Sequence, residues 1–187
     1  MKQTILALLL GNLALISDVY AIEFNHIVAD SSTVGFVYQQ MGVPMQGSLK
    51  KFDAQLIFDP AKLSAAKAVF DINVSSMDAG SQEANDELSK KEWFDTQAFP
   101  QAKFVSTEIK ALGGNRYEVS GKMTIKGRAK DITANFTFAP QNNIAIFDGN
   151  FSVNRADFAI GTGEWADVGV IANEIQIKFH FVAEAGK

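Results

Sequence analysis

The chain has 187 residues, no cysteine and a formal net charge of −4. A chain without cysteine forms no disulfide bond and has no thiol for catalysis or metal binding. Binding to nucleic acid calls for a concentrated basic surface, and no cluster of lysine and arginine supplies one here. These features exclude disulfide scaffolds and thiol enzymes, and they argue against a nucleic-acid partner.

The first 21 residues have the order of a secretory signal peptide. A positive charge is followed by an apolar stretch over residues 4–16 and then by the small residue Ala21. A membrane anchor is the alternative interpretation. A spanning helix needs about 20 mostly apolar residues, whereas Asn12 and Asp18 interrupt this stretch. We predict cleavage after Ala21, so that Ile22 begins the mature, exported protein.

Apolar and polar residues alternate along much of the mature chain, as in Phe70, Ile72 and Val74, which are separated by Asp71 and Asn73. Alternation with a period of two is typical of a strand with one buried and one exposed face. The segments predicted as strands are 34–38, 48–58, 70–74, 102–111, 116–125, 132–138, 144–153 and 175–181.

Turn residues separate these strands, for example Asp59-Pro60, Gly114-Asn115 and Lys126-Gly127. Short connections between eight strands predict an antiparallel meander. A sheet of that size protects its edges best by closing. We therefore predict an all-β fold, an eight-stranded antiparallel barrel that forms one domain over residues 22–187.

One polar segment, residues 81–91, lacks β-branched residues and is predicted to be a short surface helix. Ser81 is its expected N-cap, and Glu83 and Asp86 lie near its positive end. Trp93 follows and is expected to pack beneath the helix.

Few residues suggest chemistry. His26 and His180 are the only histidines, and neither lies in a motif that supplies a catalytic partner or metal ligands, so we expect no enzyme, metal or cofactor. Arg155 and Asp157 would project to the same side of an extended segment. They could form a structural pair with backbone carbonyls, the alternative we favour, or a polar clamp on a ligand's head group. The glycines around residues 161–163 are expected to let a loop fold tightly beside a tryptophan rather than to bind phosphate.

The buried rows of the predicted strands are rich in aromatic and branched side chains. A small barrel either fills its interior with such side chains or leaves room for one ligand, and patterning leaves both alternatives open. The residues predicted to line the interior are Phe36, Phe70, Ile72, Val74, Ile132, Phe136, Phe138, Ile175, Ile177, Phe179 and Phe181.

Short motifs spread along the chain resemble one known family. The motifs cover residues 32–36, the Met41-Gly42 pair, Trp93-Phe94-Asp95, residues 121–127 and residues 154–161. Their order and spacing resemble the polyisoprenoid-binding YceI-like proteins over nearly the whole mature domain. Gln40 departs from this pattern, because the family usually has a histidine before the Met-Gly pair.

The resemblance implies a lipocalin-like barrel in the periplasm, with a cavity that holds a polyisoprenoid chain or the tail of an isoprenoid quinone. We interpret the chain as a binding or carrier protein without catalysis. The alternatives are a quinone-linked redox enzyme or partner, for which Arg155, Asp157 and Lys126 would form the polar clamp, and an envelope stress-response protein. The oligomeric state stays open, with a homodimer as one alternative.

Overall fold

The computed structural model describes residues 22–186. One antiparallel sheet contains all the strands in this range, and their order along the main path is β4-β5-β7-β8-β9-β10-β11-β2-β3-β6, with β1 added to β11. The strands are β1 (Phe24–Ile27), β2 (Thr33–Gln40), β3 (Val43–Leu49), β4 (Phe52–Ile57), β5 (Lys67–Asn73), β6 (Met77–Asp78), β7 (Gln101–Gly113), β8 (Arg116–Ile125), β9 (Arg128–Gln141), β10 (Ile144–Asn154) and β11 (Glu174–Ala185). The predicted all-β, antiparallel, lipocalin-like architecture is confirmed. The predicted signal peptide lies outside the described residues.

The sheet curls until its ends approach each other. Near β1, the amide of Phe24 donates to the carbonyl oxygen of Phe58 at 2.9 Å, and the amide of Phe58 donates back at 3.0 Å. Since β1 also pairs with β11, it joins the end of β4 to a strand in the interior of the sheet. These contacts leave few unpaired edges, which is the main advantage of closing a sheet.

Eleven strand segments replace the eight that the sequence predicts. The predicted strand 48–58 is two strands, because the chain leaves β3 at Lys50 and starts β4 at Phe52. The segment before it forms a hairpin, β2–β3, whose two-residue turn is Met41-Gly42. The predicted helix is present as α1 (Gln82–Ser89), and the Ser81 hydroxyl accepts a hydrogen bond from the amide of Ala84 at 3.2 Å.

Three glycines on the inner face make room for aromatic rings. A Cβ atom added to Gly149 would lie 2.3 Å from the ring of Phe179, and one added to Gly121 would lie 2.4 Å from the ring of Phe104. Gly47 has the same relation to Phe36, at 2.2 Å. The missing side chains therefore let large rings lie flat across neighbouring strands instead of filling the centre of the barrel.

Candidate functional site

The curled sheet encloses a cavity of about 780 Å³. This volume lies within the range of small-molecule binding sites. The alternating residues on the inner faces of β2, β5, β9 and β11 supply much of its lining, and almost all of the side chains are apolar. The interior is therefore a lined cavity rather than a fully packed core.

An aromatic layer closes one end of the cavity. Phe58 is fully buried, and its ring centroid lies 4.9 Å from that of Phe138 and 5.2 Å from that of Phe147. Phe136 stacks on Tyr117 with the ring centroids 5.4 Å apart. Offset and edge-to-face pairs at these distances are favourable beyond their area burial. This layer forms the floor of the cavity.

The opposite end has the more polar rim. Helix α1 lies there and contributes Glu83, Ala84 and Glu87 to the cavity boundary, while Gln40 and Gln46 contribute from the β2–β3 hairpin. The ends of several strands and the long connection between β10 and β11 also lie at this rim. We call it the mouth of the barrel.

Arg155 lies beside the mouth, and its side chain is 3 % exposed. Its guanidinium donates to backbone carbonyl oxygens only, at distances from 2.8 to 3.3 Å. The acceptors are Ile160, Gly161, Trp165, Ile171 and Ala172. Burial lowers the pKa of Arg155 from its ordinary value because the charged form loses its hydration.

The carbonyl cage agrees with the structural alternative for Arg155, but Asp157 does not share in it. Asp157 does not pair with Arg155 but lies 3.9 Å from the amino group of Lys130 on the surface. The two residues do not project together because Arg155 begins a short 3-10 helix, so the segment is not extended. The prediction that Arg155 and Asp157 act together is therefore wrong, and every guanidinium nitrogen of Arg155 is engaged with the protein's own carbonyl oxygens.

The loop that carries Arg155's acceptors also packs two tryptophans together. The ring centroids of Trp93 and Trp165 lie 5.4 Å apart, and the Arg155 guanidinium lies 5.8 Å from the Trp93 ring centroid. Within residues 22–186 the buried Nε1 atoms of both indoles have no hydrogen-bond partner. Both rings line the cavity, so indole fluorescence reports on its contents.

The other polar candidates lie away from the cavity. Lys126 donates to the carbonyl oxygens of Lys91 and Ala159, at 2.6 and 3.0 Å, and so fastens two loops. Burial lowers the pKa of Lys126. His180 lies on the outer face, with its Nδ1 atom 2.6 Å from a carboxylate oxygen of Asp148. His26 is exposed on β1.

Ten of the eleven residues predicted to line the interior border the cavity. These are Phe36, Phe70, Ile72, Val74, Ile132, Phe136, Ile175, Ile177, Phe179 and Phe181. Val74 does so from a 3-10 turn after β5 rather than from a strand. Phe138 is buried in the aromatic floor and does not border the cavity. Their contact with a ligand stays a prediction.

Sequence patterning missed the part of the lining that comes from loops. Trp93, Phe158, Ile160, Trp165 and Ile171 all border the cavity from irregular segments or 3-10 turns. Segments without a fixed period give no indication of which residues face inward. The clustering of large apolar residues around Arg155 is the signal that could have found them.

Two features are absent from the part of the chain that the structure describes. Residues 22–186 contain no group of three or more histidine, cysteine, aspartate or glutamate side chains arranged to hold a metal ion. Within the same range, no helix has the length and apolar character needed to cross a bilayer.

A single antiparallel sheet curled around one apolar cavity, with a short helix at the mouth, defines a lipocalin-like barrel. The family model of the YceI-like domain matches residues 26–183, and the chain belongs to this family. This confirms the resemblance found in the sequence.

Named relatives are consistent with the family assignment. A UPF0312 protein of Photorhabdus laumondii is 32 % identical over 139 residues, which cover 72 % of this chain and 71 % of the relative. The crystal structure of BcnA from Burkholderia cenocepacia is 46 % identical, with a TM-score of 0.82 over 84 % of this chain and 99 % of BcnA. A polyisoprenoid-binding domain from Saccharophagus degradans has a TM-score of 0.68 at 15 % identity, over 89 % of this chain and 99 % of that domain, which shows a shared fold.

Proposed function

We propose that this protein binds the hydrocarbon tail of an isoprenoid lipid in the barrel cavity and carries or stores it without catalysis. The observation that carries the proposal is the cavity of about 780 Å³, closed by an aromatic floor and walled by apolar side chains. A branched hydrocarbon offers almost no hydrogen-bonding groups, so its binding depends on apolar area. The fold shared with a domain described as polyisoprenoid-binding supports the same ligand class.

The proposed site recognises the hydrocarbon tail of the ligand rather than its head group. The cation nearest the cavity, Arg155, is occupied by five backbone carbonyl oxygens. The aromatic floor admits no polar group, so a head group stays at the mouth, near Glu83, Glu87 and Gln40. We infer that prenyl alcohols and isoprenoid quinones of equal tail length bind similarly.

A prenyl series tests the proposal. Prenyl chains of increasing length, each with a neutral and a charged head, are titrated at low and high salt while the fluorescence of Trp93 and Trp165 is recorded. Affinity should rise with chain length until the cavity is full, by up to about 0.8 kcal/mol per buried methylene-sized group before ordering costs. It should change little with salt, because little charge pairing is involved.

Two results of the prenyl series would contradict tail-driven binding. One is a steep preference for one head group at fixed tail length. The other is loss of binding at high salt, since screening weakens interactions between exposed charges. Either result would direct attention to the polar rim of the mouth and revive the interpretation of a quinone-linked enzyme.

Export to the periplasm is part of the proposal. It rests on the signal-like order of residues 1–21, a positive charge followed by an apolar stretch and a small residue. A carrier in an aqueous compartment would shield an isoprenoid tail from water. The intact mass of the protein from its own envelope should correspond to a chain that begins at or near Ile22, whereas a mass that includes residues 1–21 would contradict cleavage.

A further inference from the structure

The turn between β2 and β3 has an unusual residue at its tip. Met41 has a φ of 51° and Gly42 a φ of 80°, and positive φ at both central residues defines a type I′ hairpin turn. Asparagine, aspartate and glycine suit these positions, while a long side chain without a local hydrogen bond is strained there. Asn115 and Asn142 have positive φ in two other hairpin turns of this protein.

Lys126 is, besides Met41, the residue other than asparagine or glycine that has a positive φ in a hairpin turn, and its contacts explain why it stands there. Lys126 has a φ of 49°, and its amino group binds two carbonyl oxygens of neighbouring loops. Met41 has no corresponding contact inside the protein, because its side chain projects from the tip and is 75 % exposed. The fold therefore keeps a large apolar group in water, in a backbone conformation that favours asparagine.

Further exposed apolar residues lie close to Met41. Val43 follows the turn and is 57 % exposed, and Val168 is 56 % exposed. The amide of Met41 donates to the carbonyl oxygen of Val170 at 2.8 Å, which places the turn that contains Val168 beside the hairpin. We call Met41, Val43 and Val168 the apolar tip.

The apolar tip adjoins the mouth of the barrel. Met45, two residues after Val43 on the same face of β3, is partly exposed and also borders the cavity. Gln40 precedes Met41, borders the cavity and forms a β-bridge with Ile171, a further lining residue. An apolar surface thus runs from the tip over the rim and into the cavity.

We propose that the apolar tip inserts into the surface of a lipid bilayer, so that an isoprenoid tail passes between the bilayer and the cavity without crossing water. This inference rests on the proposed function, because it assumes a ligand that resides in membranes. Residues 36–48, which contain Met41 and Val43, carry no charge, and the charged residues within five positions of Val168 are the acidic Glu164 and Asp167. The surface that fits this arrangement is uncharged lipid rather than anionic lipid, which attracts basic segments.

The substitution Met41→Asn separates docking from folding. Asparagine removes the apolar side chain and suits the left-handed backbone, so the variant should be at least as stable as the parent protein. Leu112→Asn is the matched control, since Leu112 is also exposed (47 %) but lies at the end of β7 beside the β7–β8 turn. All proteins are prepared identically and have the same N-terminus, verified by intact mass, so any contribution of residues 1–21 is shared.

Two measurements use phosphatidylcholine vesicles. Flotation gives the fraction of protein bound, and quenching of Trp93 and Trp165 follows the uptake of a prenyl quinone from the vesicles. Met41→Asn should weaken vesicle binding and slow uptake by about tenfold, the loss expected for one buried apolar side chain. Leu112→Asn should match the parent protein. Equilibrium affinity for the same quinone dispersed without vesicles should be unchanged in both variants.

Specific results would overturn the docking proposal. These are equal vesicle binding by Met41→Asn and the parent protein, an equal loss with Leu112→Asn, or binding that phosphatidylglycerol strengthens and salt abolishes. Self-association that Met41→Asn removes, without vesicle binding by the parent, would also overturn it and assign the tip to a second copy of the chain. Failure of the dispersed quinone to bind would instead contradict the proposed function, while flotation would still decide whether the tip binds lipid.

Discussion

Arg155 organises the mouth of the barrel although it touches no acidic partner among its hydrogen bonds. Its five N–H groups satisfy carbonyl oxygens from the 160–165 loop and from residues 171–172. A buried carbonyl oxygen that loses its donor pays a desolvation cost of about 1–3 kcal/mol. The planar guanidinium is suited to this task because its donors point in fixed directions. The loop that borders the cavity therefore depends on one side chain.

Replacing Arg155 should destabilise the protein strongly. Arg155→Met leaves several buried carbonyl oxygens without donors, and we expect a loss of about 3 kcal/mol or more in the free energy of unfolding. Arg155→Lys should also be costly, since an ammonium group cannot span the same acceptors. Urea unfolding followed by tryptophan fluorescence measures the effect. Arg128→Met, at the exposed first residue of β9, is the control and should change stability by less than about 0.5 kcal/mol.

A loss as small as that of Arg128→Met would show that the carbonyl cage contributes little. In that case, the packing of Trp93 against Trp165 would be the main interaction that keeps the loop over residues 155–173 ordered. The distinction matters for the cavity, because Ile160, Trp165 and Ile171 all border it.

At the scale of the elements, alternation decides which face of each strand is buried. On β9, Phe136 is 7 % exposed and borders the cavity floor, whereas the adjacent Thr137 faces the solvent. Phe136→Lys should destabilise the fold by about 3 kcal/mol or more, or abolish lipid uptake, because it buries a charge among aromatic rings. Thr137→Lys should be mild. Thermal unfolding and ligand titration of this pair check the assignment, and equal effects at both positions would contradict it.

The sequence predicts these elements well wherever a period exists. The strands around Phe136 and Phe179 and the helix capped by Ser81 follow from alternation and capping chemistry. Patterning failed where a local signal was weak or misleading. Met41 does not indicate a turn, so the β2–β3 hairpin was missed, and the break at Lys50 is hidden between two apolar runs. Tertiary pairing, not local propensity, determines both features.

At the scale of the whole molecule, the structure distinguishes a packed barrel from a hollow one, which sequence patterning does not. Side chains that fill a core and side chains that line a cavity alternate with the same period of two, so the sequence pattern does not distinguish them. The two cases differ in how far apart facing side chains lie across the barrel. Glycines such as Gly121 and Gly149 let the rings lie against the wall, and the aromatic layer around Phe58 fills one end only. The cavity therefore results from the curvature of the sheet together with the sizes of these side chains.

Two alanines test whether that cavity is empty space available to a ligand. Ala134 borders the cavity, whereas Ala145 is fully buried and does not. Ala134→Leu should change the free energy of unfolding by less than about 1 kcal/mol, since the added carbons enter open volume, whereas Ala145→Leu should cost about 1–3 kcal/mol or more, because overpacking forces neighbouring side chains and strands apart.

Ligand binding should also distinguish the two variants, because only Ala134→Leu is expected to change the prenyl length that binds best. The carbons added by Ala134→Leu would occupy volume near the floor, so in this variant the prenyl chain of highest affinity should become shorter than in the parent protein. Ala145→Leu should keep the parent's preferred length as long as it folds, because its added atoms lie outside the cavity. Chemical unfolding and the prenyl titration provide both readouts. An Ala134→Leu protein as destabilised as Ala145→Leu, with an unchanged preferred length, would mean that the barrel is packed in solution and that the isoprenoid tail binds elsewhere.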